Sequence, residues 1–184
     1  MKRVSIHIGE LYASREAAVV ETVLGSCVAV CLHDPMSRLG GMNHILLPRR
    51  CQADPLLARY GEHAIPMLIE RILKLGGTKK NLQAKVFGAA SVLTMDEARL
   101  SVPRANESFV REFLLAQGIP LLAARMGGRQ PFRVRMFTDT GRVLVRVVPR
   151  TQLDRLLAHE GEHYFEALER RWSWFEPGVP EEER

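Results

Sequence analysis

The chain has no apolar run long enough to cross a bilayer. Its longest weakly polar stretch, Val23 to Leu32, falls far short of the roughly 20 residues a spanning helix needs. The opening residues, MKRVSIHIGELYASRE, alternate apolar and polar side chains and lack the continuous apolar core of a secretory signal, so a cytoplasmic protein is expected. Cysteine is scarce. Three residues, an odd number without an export signal, argue for reduced thiols rather than a disulfide framework. No P-loop or GxGxxG element occurs, since Gly40-Gly41, Gly76-Gly77 and Gly127-Gly128 are isolated pairs, and a regular βαβ alternation is missing. A doubly wound nucleotide-binding fold is therefore not expected. Aromatic residues make up only 7% and the basic residues are scattered, which argues against a nucleic-acid partner despite a pI of about 9.4. No internal repeat or low-complexity tract is visible.

What is present is the balance of a folded globular protein, 46% hydrophobic and 26% charged over 184 residues, enough for one good core. The net charge of +5 is unevenly spread. Residues 151–184 hold nine acidic and four basic side chains, so residues 1–150 carry +10. We expect a main domain over 1–150 and an acidic helical extension over 151–184. A basic body suits an acidic partner, which could be a nucleic acid, a membrane surface or a Glu-rich protein helix, and its plainer reading is a solubilising surface.

The pattern alternates at Val4, Ile6 and Ile8, and strands are expected there and at about Ala18 to Val23. Val28–His33 and Met42–Leu47 read as a hairpin whose turn has Asp34 first and Pro35 second. Ala64, Leu68, Ile72 and Leu75 recur at helical spacing and end at Gly76-Gly77; Pro66 is tolerated only in a first turn, which places the helix start near Ala64. A strand at Gln83–Phe87 precedes the small residues Gly88-Ala89-Ala90-Ser91. Asn106 is expected to cap a helix running to about Gln117. A strand at Ile119–Ala124 and a hairpin over Phe132–Val148, turning at Thr138–Gly141, follow. Thr151 and Asp154 form a capping signature, and Leu153, Leu156, Leu157, Phe165 and Leu168 suggest amphipathic helices beyond it. The sum is a layered α/β (α+β) sandwich with a mixed sheet and hairpins.

Chemistry converges on Cys27. It follows Gly25-Ser26 at the mouth of a strand, where successive backbone amides can point at a developing oxyanion. With Pro35 and Met36 central in the turn, Asp34 faces Ser37 and Cys27 lies opposite His44, close enough for thiol and imidazole to meet. A register shifted by two keeps them diagonal on one face, whereas a shift of one separates them. Thr22, on the preceding strand, can accept from the far imidazole nitrogen and fix its tautomer, as the third member of a triad does. Asn43 neighbours His44 but should point to the other face. A thiol beside an imidazole yields thiolate at neutral pH and can attack a carboxamide carbon.

Each of these residues also has a plainer reading. A cysteine in a strand is commonly a small core hydrophobe, and a strand histidine commonly packs with one hydrogen bond. Cys31 shares the face of Cys27 but sits deeper, as packing, and Cys51 lies in a basic loop. A zinc site from Cys27, Cys31, His33 and His44 is conceivable, but CxxxC on a strand is poor metal spacing. No cofactor or metal is expected.

The segments LGSCVAVCLHDP and GGMNHILLP, joined by a short turn, resemble the signature of the CheD chemoreceptor glutamine deamidases. The likeness resumes at YGEHAIPMLIERILKLGG, at FGAAS and at FVREFLLAQGIPLLAARMGGRQPFRVRMFTDTGRVLVRVV, covering roughly residues 3 to 149. The resemblance implies a cysteine hydrolase with Cys27 as nucleophile and His44 as base, on a fold similar to the cytotoxic necrotizing factor deamidases. A threonine completes the family site. Thr22 is the candidate here, and Glu21 stands where some members place it, so either could orient His44. Where the family often has a Gly and an Arg-Asn pair, this chain reads Val102-Pro103-Arg104-Ala105-Asn106, and a Gly-Gly-Ala-Ser-Met pattern is reduced to Gly88-Ala89-Ala90-Ser91-Val92.

The implied substrate is a glutamine on the cytoplasmic coiled coil of methyl-accepting chemotaxis receptors, converted to glutamate with release of ammonia. A CheC-type phosphatase is an implied second partner, and direct membrane insertion is not expected. The rival reading is a non-catalytic chemotaxis adaptor with an idle thiol.

Overall fold

The computed structural model describes residues 1–50, 56–91 and 97–149. The expectations placed on Cys51 and on the extension 151–184 lie outside these residues. Among the described residues, nine strands and two α-helices are arranged in three layers. One sheet has the order β1 (Lys2–Ser5), β3 (Ala18–Leu24), β8 (Phe132–Phe137), β9 (Val143–Val147). The other runs β2 (Leu11–Ser14), β5 (Leu39–Asn43), β4 (Val28–Asp34), β6 (Gln83–Gly88), β7 (Leu121–Met126). Both sheets are mixed, with β1 parallel to β3 and β6 parallel to β7, and the remaining pairs antiparallel. The layered α+β expectation therefore holds, with two sheets in place of one.

Strand β4 explains the layering. All seven of its residues are buried, as a strand covered on both faces requires, and VAVCL supplies a nearly continuous apolar run for it. Val28, Val30 and Leu32 point to a core shared with α1 (Gly61–Lys74) and α2 (Glu97–Ala116). Ala29 and Cys31 point the other way, into a second core with Val20, Leu24, Val134 and Met136 of the first sheet. Period-2 alternation thus assigns the β4 side chains from Val28 to Leu32 to one or other of two cores.

The hairpin differs from expectation in its loop. Asp34 pairs with Leu39, not with Ser37, so four residues rather than two form the turn. The cause is local. The Asp34 carboxylate accepts from the N–H groups of Met36 and Ser37 at 2.9 and 3.2 Å and from Thr78 at 2.8 Å, and Arg38 adopts φ +55° to close the loop. The register moves by two, so the faces are preserved. Beyond Asn43 regular pairing stops, because the Asn43 side chain accepts the Val30 N–H at 3.0 Å in place of a backbone carbonyl.

Both helices start earlier than the sequence indicates. The first begins at Gly61 and carries Pro66 beyond its first turn. Pro66 lies on the exposed side, where water can serve the carbonyl it leaves unbonded, while burial of Ala64, Ile65, Leu68 and Ile72 offsets the cost. The second begins at Glu97, so Asn106 is an interior residue and not a cap. Strand β2 was not expected, and β7 is displaced to Leu121–Met126.

Candidate active site

Cys27 sits where the chain crosses between sheets. Strand β3 of one sheet ends at Leu24, Gly25-Ser26-Cys27 spans the gap, and β4 of the other begins at Val28. The crossing is held by its carbonyls. Gly25 accepts from the Ala90 N–H and Cys27 from the Ala89 N–H, both at 2.8 Å, while the Asn106 amide donates to Ser26 at 3.2 Å and to Leu46 at 3.0 Å. The Gly88 backbone makes this possible. Its φ is +116°, and a Cβ there would lie 2.1 Å from the Cys27 carbonyl oxygen, so only glycine fits. The small-residue segment after β6 is thus a clamp on the cysteine loop, and Asn106 is a second one. This role of Asn106 is not legible from local pattern, because an Asn ahead of an apolar helical run reads first as a cap.

His44 follows β5 and is fixed through its backbone, its N–H donating to Glu10 at 3.0 Å and its carbonyl accepting from Gly9 at 2.9 Å. Val28 and Ile45 exchange backbone hydrogen bonds, so Cys27 and His44 flank that pair diagonally and share the inter-sheet face. The expected direct opposition is replaced by this diagonal. Across the layer, Thr22 Oγ1 lies 2.8 Å from His44 Nδ1 and also 2.8 Å from the Ile6 carbonyl oxygen. A hydroxyl has one proton, which goes to the carbonyl, so its oxygen accepts from Nδ1–H. The proton is then on Nδ1 and the lone pair on Nε2, which is buried and has no hydrogen-bond partner among the described residues. Burial, with a smaller contribution from His7, holds the imidazole at about 3, so it is neutral near pH 7.

Glu21 points to the opposite side of β3, where its carboxylate takes the Arg135 guanidinium at 2.7 Å. Of the two candidates for orienting His44, Thr22 is the one in contact. Asn43 faces away, as expected, and serves Val30. Cys31 shares the inter-sheet core, where burial pushes its thiol up to about 12, partly opposed by Lys85. It is a protonated core residue. Among the described residues no three His, Cys, Asp or Glu side chains stand together as a metal site. Cys27 is only 1% exposed, beside a partly exposed Ser26.

Comparison with known proteins bears on what such a site serves. Residues 46–147 match the family described as CheD, chemotactic sensory transduction. That match begins just after His44. A protein of Rhodospirillum rubrum named "Probable chemoreceptor glutamine deamidase CheD" is 48% identical over 140 residues, 76% of this chain and 79% of its own. One of Stenotrophomonas maltophilia with the same name is 43% identical over 147 residues, 80% of this chain and 70% of its own. A Shewanella oneidensis relative, named as CheD 1, is 40% identical over 164 residues, 87% and 79%.

Proposed function

This chain belongs to the CheD family, and from that premise we propose that it deamidates glutamine side chains of chemotaxis receptors, with Cys27 as nucleophile and His44 as its acid and base. The family supports chemoreceptor deamidation as the activity. The cysteine mechanism is our reading of the site, and the observation that supports it best is the Thr22–His44 hydrogen bond. That bond commits Nδ1 as donor and leaves the Nε2 lone pair on the face that carries the sulfur.

In this reading receptor binding first shifts the cover over the site and relieves the burial that holds the imidazole at about 3, and the Cys27 proton then passes to His44 Nε2. The thiolate adds to the glutamine Cδ, and the oxyanion is stabilised by backbone amides of the Gly25–Cys27 loop. Collapse of the adduct breaks the C–N bond, and the imidazolium returns its proton to the departing ammonia. A thioester remains. His44, neutral again, takes a proton from water, whose hydroxide adds to the thioester carbon. The C–S bond breaks, the imidazolium gives its proton to the departing sulfur and so regenerates the thiol, and the new carboxylic acid loses its proton to solvent and leaves as glutamate. No cofactor is needed. A group as buried as Cys27 is reached only when its cover shifts, so binding of the receptor segment is also the step that exposes it. The protein acts in the cytoplasm, where the receptor coiled coil lies, and a CheC-type phosphatase is a further partner.

The same burial would suit a non-catalytic adaptor, and one experiment separates the two. A receptor cytoplasmic fragment is incubated with wild type and with Cys27→Ser, and peptides are weighed while ammonia is assayed. Amide-to-acid mass changes and ammonia with wild type alone support the hydrolase. Equal mass profiles with the two proteins would discard it in favour of the adaptor.

A further inference from the structure

The outer face of the first sheet carries a charge arrangement that the fold does not need. Arg133 and Arg146 are direct cross-strand partners, both exposed, with Arg135 beside them. Like charges placed directly opposite destabilise a sheet. Arg135 is neutralised by Glu21 at 2.7 Å, whereas among the described residues neither Arg133 nor Arg146 has an acidic partner. These side chains line a groove of about 320 Å³ together with Leu144, which is 40% exposed, and Val148 and Pro149. A groove with an apolar floor and unpaired guanidinium groups fits a segment that is both acidic and amphipathic.

The chain itself supplies such a segment at that place. Pro149, part of the groove wall, is the last described residue, and the 34 residues of 151–184 follow almost at once with nine acidic and four basic side chains. Their apolar residues include Leu153, Leu156, Leu157 and Leu168 at helical spacing. Length is ample. A six-residue strand is about 20 Å long, and 34 residues reach about 50 Å even when fully helical. We propose that the acidic segment 151–184 folds back onto the basic outer face of the β1-β3-β8-β9 sheet of its own molecule, anchored by Arg133 and Arg146. Attachment at Pro149 holds the segment at high local concentration, so a modest intrinsic affinity suffices.

The test uses the full chain, because both of its tryptophans, Trp172 and Trp174, lie in the segment and report on it alone. Acrylamide quenching of their fluorescence is compared between wild type, Arg133→Thr/Arg146→Thr, and Glu160→Gln/Glu162→Gln/Glu166→Gln. The first pair of changes removes a repulsion and installs a good strand residue, so the sheet is retained, and the melting midpoint verifies it. Wild type at low salt should be quenched several-fold less than a synthetic 151–184 peptide. That protection should be lost in either variant and on raising salt. Peptide-like quenching in the wild type, or protection unchanged by the arginine substitutions, would overturn the proposal. So would protection that grows with protein concentration, since a second copy would then be the occupant.

Discussion

Thr22 is one hydroxyl with two duties, donating to the Ile6 carbonyl and accepting from His44. Thr22→Val keeps the shape and removes the acceptor, so kcat on a receptor fragment should fall about 100-fold with KM little changed, and Thr22→Ser should restore most of the loss. Equal activity in Thr22→Val would remove the threonine from the mechanism. Cys31 is the internal control. Cys31→Ala should leave kcat within about twofold, costing about 1 kcal/mol of stability as a small core truncation, measured by denaturant unfolding. At this scale the sequence was informative because strand parity fixes faces. Cys27 and His44 could be set on one face without knowing the loop length, since a two-residue error leaves parity intact, whereas the placing of Thr22 across a gap between two sheets was not legible from strand parity. Asn106 could not be read so, because its partners Ser26 and Leu46 are 80 and 60 positions distant.

Elements are where the reading of the chain was least sharp, and the reasons differ. The four-residue β2, LYAS, has little apolar alternation of its own and is set by pairing with β5. Helix α1 carries its proline past the first turn because tertiary burial outweighs local propensity. The β4–β5 turn was misjudged by two residues because the Asp34 side chain, not the Pro35 ring, organises it. The turn after β6 gives a sharp prediction. Gly88→Ala should cost more than about 3 kcal/mol in unfolding experiments, since its Cβ would overlap the Cys27 carbonyl at a left-handed φ. Ala89→Gly should instead add about 0.5–1 kcal/mol, because Ala89 already sits at φ +53°. If Gly88→Ala folds normally, the clamp on the cysteine loop is not as described.

For the whole molecule, acid is the expected weakness. Burial lowers the pKa of His44 to about 3, and burial also lowers that of His33, while both take up protons near pH 6.5 once unfolded. The unfolded state therefore binds more protons over this window, and stability is full above about pH 6.5 and declines as pH falls toward 3. Asp34 acts in the same direction at lower pH. Burial opposes its ionisation, but N–H groups of Thr78, Ser37 and Met36 hold its carboxylate below the ordinary value. Urea midpoints should drop steadily from pH 7 to pH 4, and His44→Gln should flatten part of that slope. A wild-type midpoint independent of pH would contradict the buried neutral imidazole. The hydrogen bond between Thr22 and His44 joins a strand of one sheet to a loop leaving the other, so the proposed catalytic apparatus straddles a seam. Any slippage between the two halves, too small to register as melting, would break the relay first; heat or mild denaturant should silence this protein while its circular dichroism still looks native.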